Sequence, residues 1–141
     1  MGKNYAIDTN IAIYFLDGVL PPHTLPVLRP IFDDRNYCLS IITQIELLGW
    51  PFPDTTKAEY AELFVSNSLI MPLSQEVAEQ TILIRKAFKI KLPDAIIAAT
   101  AMVFDLTLIS RNDKDFKSIT GLKYINPFEL YKQQHGFAVE Q

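Results

Sequence analysis

Cysteine and histidine are scarce in this sequence, which limits the chemistry that it can support. The one cysteine, Cys38, has no partner for an internal disulfide and lies in an apolar run, as is typical of a buried free thiol. The two histidines, His23 and His135, have no cysteine or second histidine at the spacing of a zinc site. A metal bound by this chain would therefore be held by oxygen atoms.

Long apolar runs are absent as well. The longest, from Ala95 to Phe104, is far shorter than the roughly 20 residues that are needed to cross a bilayer. The N-terminus has one lysine and then an acid, Asp8, inside its apolar segment, which is unlike a signal peptide. We therefore expect a cytoplasmic protein that does not associate with membranes.

The chain also lacks an excess of basic residues. Its net charge of −3 argues against a protein that coats nucleic acid with a large positive field, but it does not exclude a nuclease. Two local clusters of cations flank the acids of the C-terminal half, although cations at a helix end more commonly complement the helix dipole. The candidates for contacts with RNA phosphates are Arg85, Lys86, Lys89, Lys91, Arg111 and Lys114.

An apolar content of 49% over 141 residues predicts one domain, spanning residues 1–141, with an ample core. Strand-like apolar runs alternate with helical patterns, which predicts a mostly parallel sheet with helices on both faces. The predicted strands are residues 5–8, 37–42, 69–73, 107–110 and 123–125. The predicted helices are residues 10–16, 24–35, 43–48 and 54–67, two more that begin near Ser74 and Leu92, and a closing helix over residues 127–134.

Acids lie where these predicted elements meet. Asp8 ends the first strand, Glu46 opens the helix after the second, and Asp94 opens a later helix, while Asp113 and Asp115 follow the fourth strand. Ligands bind parallel α/β sheets outside the carboxyl ends of their strands, so we expect these acids to gather at that edge.

Each acid has a simpler explanation when it is considered alone. Asp8 could cap a helix, residues 43–46 have the form of a capping box, and Asp94 could complement a helix dipole. Together they are harder to explain, because two carboxylates about 4 Å apart repel by on the order of 4 kcal/mol at an effective dielectric of 20. A cation would offset that repulsion, and oxygen ligands favour one or two Mg²⁺ or Mn²⁺ ions. Metal-bound water beside basic residues indicates hydrolysis of a phosphodiester.

Four stretches resemble PIN-domain proteins and, within them, the small VapC-type toxins of bacterial and archaeal toxin–antitoxin pairs. They are residues 7–11 (IDTNI), 40–47 (SIITQIEL), 92–101 (LPDAIIAATA) and 108–116 (LISRNDKDF). The resemblance implies an α/β/α sandwich with a five-stranded parallel sheet and a ribonuclease site that depends on Mg²⁺ or Mn²⁺. It also implies a small antitoxin that inserts a segment near the active site, and a homodimer.

The same resemblance implies roles for individual residues. Asp8, Glu46 and Asp94 match the three acids at the core of the family's site. Thr9 or Asn10, beside the first acid, and Ser110 match supporting polar groups. Many members have a fourth acid at the position of Asn112, and here Asn112, Asp113 and Asp115 compete for that role, with Asp113 slightly favoured.

The sequence therefore predicts a metal-dependent endoribonuclease, the toxin of a toxin–antitoxin pair. One alternative is a phosphatase that uses Asp8 as its nucleophile, although the motif lacks a second acid two residues later. Another is a non-catalytic module in which the PIN-like fold serves only as a binding surface. The segment with Leu47, Leu48, Trp50 and Phe52 is expected to be partly exposed as a contact surface, because its prolines prevent regular packing.

Overall fold

Five short parallel strands form the centre of the molecule, which a computed structural model describes over residues 3–130. The strands are β1 (Tyr5–Ile7), β2 (Tyr37–Ser40), β3 (Leu69–Met71), β4 (Thr107–Ile109) and β5 (Tyr124–Ile125). Their order in the sheet is β3-β2-β1-β4-β5, so β1 is central, with Ala6 opposite Cys38 on one side and Leu108 on the other. The predicted five-stranded parallel sheet is confirmed.

Helices connect the strands and cover both faces of the sheet. They are α1 (Thr9–Asp17), α2 (Leu25–Asp33), α3 (Ile41–Leu48), α4 (Thr55–Ser66), α5 (Gln75–Ala87), α6 (Leu92–Val103) and α7 (Asp113–Phe116). Residues 127–130 are also helical, whereas the rest of the predicted closing helix and His135 lie outside the described residues. Within residues 3–130, no helix is both long enough and apolar enough to cross a membrane.

Two hydrophobic cores, one on each face of the sheet, make the molecule a three-layer α/β/α sandwich. Side chains alternate along each strand, so Ala6 packs with α5 and α6, whereas its neighbour Ile7 packs with α1, α2 and α4. Cys38 and Leu108 share the first core, and they are 1% and 0% exposed. These cores hold the strands rigidly beneath the edge where the acids lie.

Polar caps determine where several helices begin. The side chains of Asp54 and Ser74 accept hydrogen bonds from Thr56 N and Val77 N, so both predicted helix starts are confirmed. The prediction for β2 was too long by two residues, because the Ser40 hydroxyl accepts from the first turn of α3 and residues 41 and 42 are helical.

Two further differences concern helix starts. Glu46 was predicted to open its helix, but Ser40 caps α3 and Glu46 is the sixth residue of that helix, so the alternative of a capping box over residues 43–46 does not apply either. No helix was predicted directly after β4, but Asn112 caps the short helix α7 there, its side chain accepting from Asp115 N. The start of α3 sets the direction of the Glu46 side chain, and the start of α7 sets the directions of Asp113 and Asp115.

Candidate active site

Asp8 lies at the carboxyl end of the central strand and caps α1. It is 5% exposed, and its two carboxylate oxygens accept hydrogen bonds from Thr9 N (2.8 Å) and Ser110 Oγ (2.7 Å). The pKa of Asp8 is raised, because burial and the negative charges of Glu46 and Asp115 together outweigh the lowering by these two hydrogen bonds. Asp8 is therefore a buried carboxyl that is costly to ionise without a nearby cation.

Glu46 is held by Thr9, whose hydroxyl also contacts Thr43. Thr9 Oγ1 donates to Glu46 Oε1 over 2.6 Å, and the hydroxyl oxygens of Thr9 and Thr43 lie 3.1 Å apart. Thr9 and Thr43 are buried, whereas Glu46 itself is exposed. One buried residue, Thr9, thus binds Asp8 through its amide and Glu46 through its hydroxyl, and so links the first two acids.

Asp94 lies in the first turn of α6, the buried helix that packs against the sheet. Its pKa is raised to about 6, first by burial and then by the negative charges of Asp8, Asp115 and Glu46. The other three carboxylates are therefore close enough to Asp94 to repel its negative charge. The structure therefore brings together the three acids of the sequence motifs and adds Asp115.

The two candidates for the fourth acid point in different directions. Asp115 lies close enough to Asp94 for its carboxylate to raise the pKa of that residue. Asp113 faces away from the group, because its carboxylate accepts hydrogen bonds from Tyr124 Oη (2.6 Å) and Asn126 Nδ2 (3.1 Å), and these bonds lower its pKa. The structure thus places Asp115 among the acids, whereas the sequence slightly favoured Asp113.

Asn112 and Ser110 connect Asp115 to Asp8. Asn112 N donates to Ser110 Oγ (3.0 Å), the same hydroxyl that donates to Asp8, and Asn112 Nδ2 donates to Asp115 Oδ2 (2.8 Å). Ser110 is fully buried. Asn112 thus contacts the fourth acid as a hydrogen-bond donor at the start of α7.

Two clefts open onto the acids. The larger, with a volume of about 470 Å³, is lined by Asp8, Thr9, Asn10, Ile13, Ile45, Glu46, Gly49, Trp50 and Asp94. The smaller, of about 260 Å³, is lined by Asp8, Asn10, Tyr14, Arg111 and Asn112. Asn10 is exposed and lines both clefts. Although Asp8 is almost fully buried, a ligand can therefore reach the acids from either side.

Only part of the predicted basic cluster is brought near the acids. Arg111 lines the smaller cleft and lies 4.5 Å from the ring centre of Phe128. Lys91 immediately precedes α6, in whose first turn Asp94 lies, and Lys114 lies on α7 beside Asp115. Arg85, Lys86 and Lys89 are exposed at and beyond the end of α5, and they line neither of the two clefts.

The donors of this site fit a hard divalent cation that keeps much of its water. Carboxylate oxygens are the ligands that Mg²⁺ and Mn²⁺ prefer, and the mutual repulsion of the acids is what such an ion would relieve. Within residues 3–130, no three acidic, histidine or cysteine side chains are already arranged to enclose an ion. One or two carboxylates and several waters commonly suffice for Mg²⁺.

Sequence reasoning missed two features of the site. Thr43 was considered only as a helix cap, but its position three residues before Glu46 on the same helix face could have indicated a shared contact. Trp50 was expected only on a contact surface, whereas it lines the larger cleft with the acids. Nothing in the local sequence indicates the bonds of Asp113 to Tyr124 and Asn126, since they depend on the position of β5.

Comparisons with known proteins agree with this architecture. A sequence model described as the PIN domain matches residues 5–122. No curated protein matches the sequence.

Solved structures match over nearly their whole length. A toxin–antitoxin complex from Klebsiella pneumoniae contains a chain with 30% identity and a TM-score of 0.65, and the match covers 88% of this chain and 98% of that one. DNA-bound VapBC from Salmonella typhimurium matches with 22% identity and a TM-score of 0.74, over 90% of this chain and 99% of that one. VapBC-1 from nontypeable Haemophilus influenzae matches with 23% identity and a TM-score of 0.67, over 88% and 98%. The match to the family model spans most of the sequence, so the chain belongs to the PIN-domain family, as its motifs predicted.

Proposed function

We propose that this protein is a metal-dependent endoribonuclease and the toxin of a toxin–antitoxin pair. The observation that carries the proposal is the gathering of Asp8, Glu46, Asp94 and Asp115 at the carboxyl edge of the sheet, beside an open cleft. Acids that raise one another's pKa at a ligand-accessible edge are typical of a functional site.

The chain's own residues hold and orient the site. Asp8, Glu46 and Asp94 would ligate one or two Mg²⁺ or Mn²⁺ ions, with Asp115 acting through water. When bound, the metal supplies an activated water and positive charge for the phosphoryl oxygens. Ser110 and Thr9 keep the Asp8 and Glu46 carboxylates in place, which preserves the order of the site before the ion arrives.

RNA would approach through the two clefts, with its backbone guided by cations near their rims. Arg111, Lys91 and Lys114 are the best placed of these cations, and Arg85, Lys86 and Lys89 would serve only a longer substrate. In this proposal the protein acts in the cytoplasm, where RNA is available.

Two protein partners belong to the proposal. The first is a small antitoxin, which the toxin–antitoxin complexes among the matching structures support. The second is another copy of the chain. Half-exposed apolar side chains on α3 and α5 that line neither cleft, namely Leu48, Ile82 and Leu83, support a homodimer.

The test is cleavage of single-stranded RNA by the purified protein in Mg²⁺, in Mn²⁺ and in a chelator. We expect cleavage only with a metal and a loss of at least about 100-fold in the Asp94→Asn variant, as for removal of a group that acts directly on the reaction. Asp113→Asn is the matched control, since it removes a carboxylate that faces away from the site. Metal-independent cleavage, or equal rates for Asp94→Asn and the parent, would contradict the proposal.

A further inference from the structure

Trp50 is an aromatic side chain that lines the acidic cleft without being covered. The chain contains one tryptophan. It is 49% exposed, and it shares the 470 Å³ cleft with Asp8, Glu46 and Asp94. Ile45, which is 61% exposed, lines the same cleft. A large flat apolar side chain that stays open beside a group of charges indicates contact with a ligand that is both planar and charged.

The backbone at Trp50 is held in place by its neighbours. Trp50 N donates to Leu47 O (3.3 Å) at the end of α3, and Trp50 O accepts from Phe52 N (2.9 Å) across Pro51. Proline fixes its own φ angle and so stiffens this turn. The backbone that carries the indole is therefore held at the cleft rim, and little backbone entropy is lost when a ligand packs on the side chain.

Gly49 makes the tight exit from α3 possible. Its amide donates to Ile45 O (2.9 Å), and a Cβ at Gly49 would lie only 2.9 Å from that same carbonyl oxygen. Any larger residue would push the chain away from the helix end. The position of Trp50 thus depends on a contact that only glycine allows without a shift.

A nucleotide matches the two parts of this cleft. The acids, together with their metal, suit a phosphate, whereas the indole suits a planar base, and in RNA these two groups are covalently linked. The cleft volume lies within the range of about 300–1,000 Å³ for clefts that bind small molecules. Base–aromatic stacking is the usual way in which proteins bind unpaired bases.

We propose that Trp50 stacks on an unpaired nucleobase next to the scissile phosphate and so directs the enzyme to single-stranded segments. Bases inside a duplex already stack on both faces, so they cannot pack on the indole without being unpaired. This inference rests on the proposed nuclease function, but it concerns binding and can be measured without cleavage.

The direct test is tryptophan fluorescence, excited at the red edge of the absorption band where the tyrosines absorb little, because that emission then reports Trp50, the one tryptophan of the chain. The measurement uses the Asp94→Asn variant in Mg²⁺, so that the RNA is not cleaved during the titration. The probes are a short oligouridylate, which is single-stranded, and a blunt-ended RNA duplex. Free N-acetyltryptophanamide corrects for light absorbed by the probes. We expect saturable quenching by the oligouridylate and much weaker quenching by the duplex at equal nucleotide concentration.

Variants of the same background test whether stacking contributes to binding. The anisotropy of labelled oligouridylate should show Trp50→Ala binding about 5- to 150-fold more weakly, the range expected for loss of one stacked base. Trp50→Phe keeps a smaller aromatic face and should restore most of the affinity. Tyr60→Ala is the matched control, because Tyr60 is 56% exposed but lines a different cavity, and it should bind like its background.

Several outcomes would overturn the stacking proposal. The first is that Trp50 emission stays unchanged although anisotropy shows that oligouridylate is bound. The second is that oligouridylate does not bind at all, and the third is that Trp50→Ala binds it as tightly as the Asp94→Asn background does. A blue shift that follows protein concentration instead of RNA would also overturn it, and would assign Trp50 to a contact between copies. Quenching without any cleavage by the parent chain would refute the nuclease function alone, whereas cleavage without quenching would refute only the stacking.

Discussion

Ser110 donates a hydrogen bond of 2.7 Å to Asp8 across 102 positions of the chain. The bond joins the carboxyl ends of β4 and β1, which are neighbours in the sheet. Since both residues are buried, this single contact ties the first motif to the last at the centre of the site.

Ser110→Ala should destabilise the protein. It leaves a buried carboxylate with one hydrogen bond fewer, and bonds to charged groups contribute about 1.5–3 kcal/mol. Urea unfolding at pH 7 measures this loss. Ser118→Ala, at an exposed serine, should stay within about 0.5 kcal/mol of the parent. Equal stability of the two variants would show that the bond to Asp8 contributes nothing.

The two acids on α7 should differ sharply in their effect on catalysis. Asp115→Asn removes a charge that contacts Asp94, so we expect RNA cleavage to fall by about 10- to 100-fold, as for residues that support metal ligands. Asp113→Asn should keep near-parental activity, because Asp113 binds Tyr124 and Asn126 instead. Initial rates at saturating Mg²⁺ compare the two variants directly. A larger loss of activity in Asp113→Asn than in Asp115→Asn would assign the role of the fourth acid to Asp113.

Thr9→Val should weaken metal binding more than it lowers the stability of the fold. The variant keeps the amide bond to Asp8 but loses the 2.6 Å hydroxyl bond to Glu46. We expect the Mg²⁺ concentration at half-maximal activity to rise by about 10- to 100-fold. Thr81→Val is the matched control, since the Thr81 hydroxyl is also buried but donates within its own helix, to Val77 O. Metal titrations that coincide for all three proteins would contradict this role of Thr9.

The sequence was informative about the frame of the site. Apolar periodicity located β1 and α6, and so placed Asp8 and Asp94 at element boundaries. The carboxyl ends of parallel strands meet at one edge, so the position of Asp8 at that edge followed from fold class alone. Asp94 lies at the start of a helix that follows another helix, α5, so its position at the same edge did not. Local sequence patterns were thus enough to predict a side chain's position where that position depends only on the end of a strand.

Local patterns failed where side-chain direction decides the contact. The choice between Asp113 and Asp115 depends on the Asn112 cap, which begins a helical turn where no helix was predicted. The bond between Thr9 and Glu46 spans 37 positions and exists because α3 begins at Ile41, two residues earlier than predicted. A one- or two-residue error in a helix start rotates its side chains by about 100° per residue, which is enough to misplace such contacts.

The raised pKa of Asp94 predicts an unusual pH dependence for the metal-free protein. Its folded value of about 6 exceeds the reference value of 3.8, so between these limits the folded state binds more protons than the unfolded state. The stability contributed by protonated Asp94 is therefore fully present below about pH 4 and is lost as pH rises through 6. Ionised Asp94 should cost on the order of 1 kcal/mol at pH 7, after allowance for solvent screening.

Urea unfolding in a chelator, between pH 4.5 and 7.5, should reveal this cost as a difference between proteins. Asp94→Asn should gain stability relative to the parent as pH rises, because the amide never ionises, and added Mg²⁺ at pH 7 should remove that advantage by stabilising only the parent. Asp113→Asn supplies a control of opposite sign, since the lowered pKa of Asp113 stabilises the folded state above the unfolded pKa and that stability is lost as pH falls. If the difference between Asp94→Asn and the parent does not change with pH, neither burial nor the neighbouring carboxylates raise the pKa of Asp94. There would then be no repulsion at this edge for a metal to relieve.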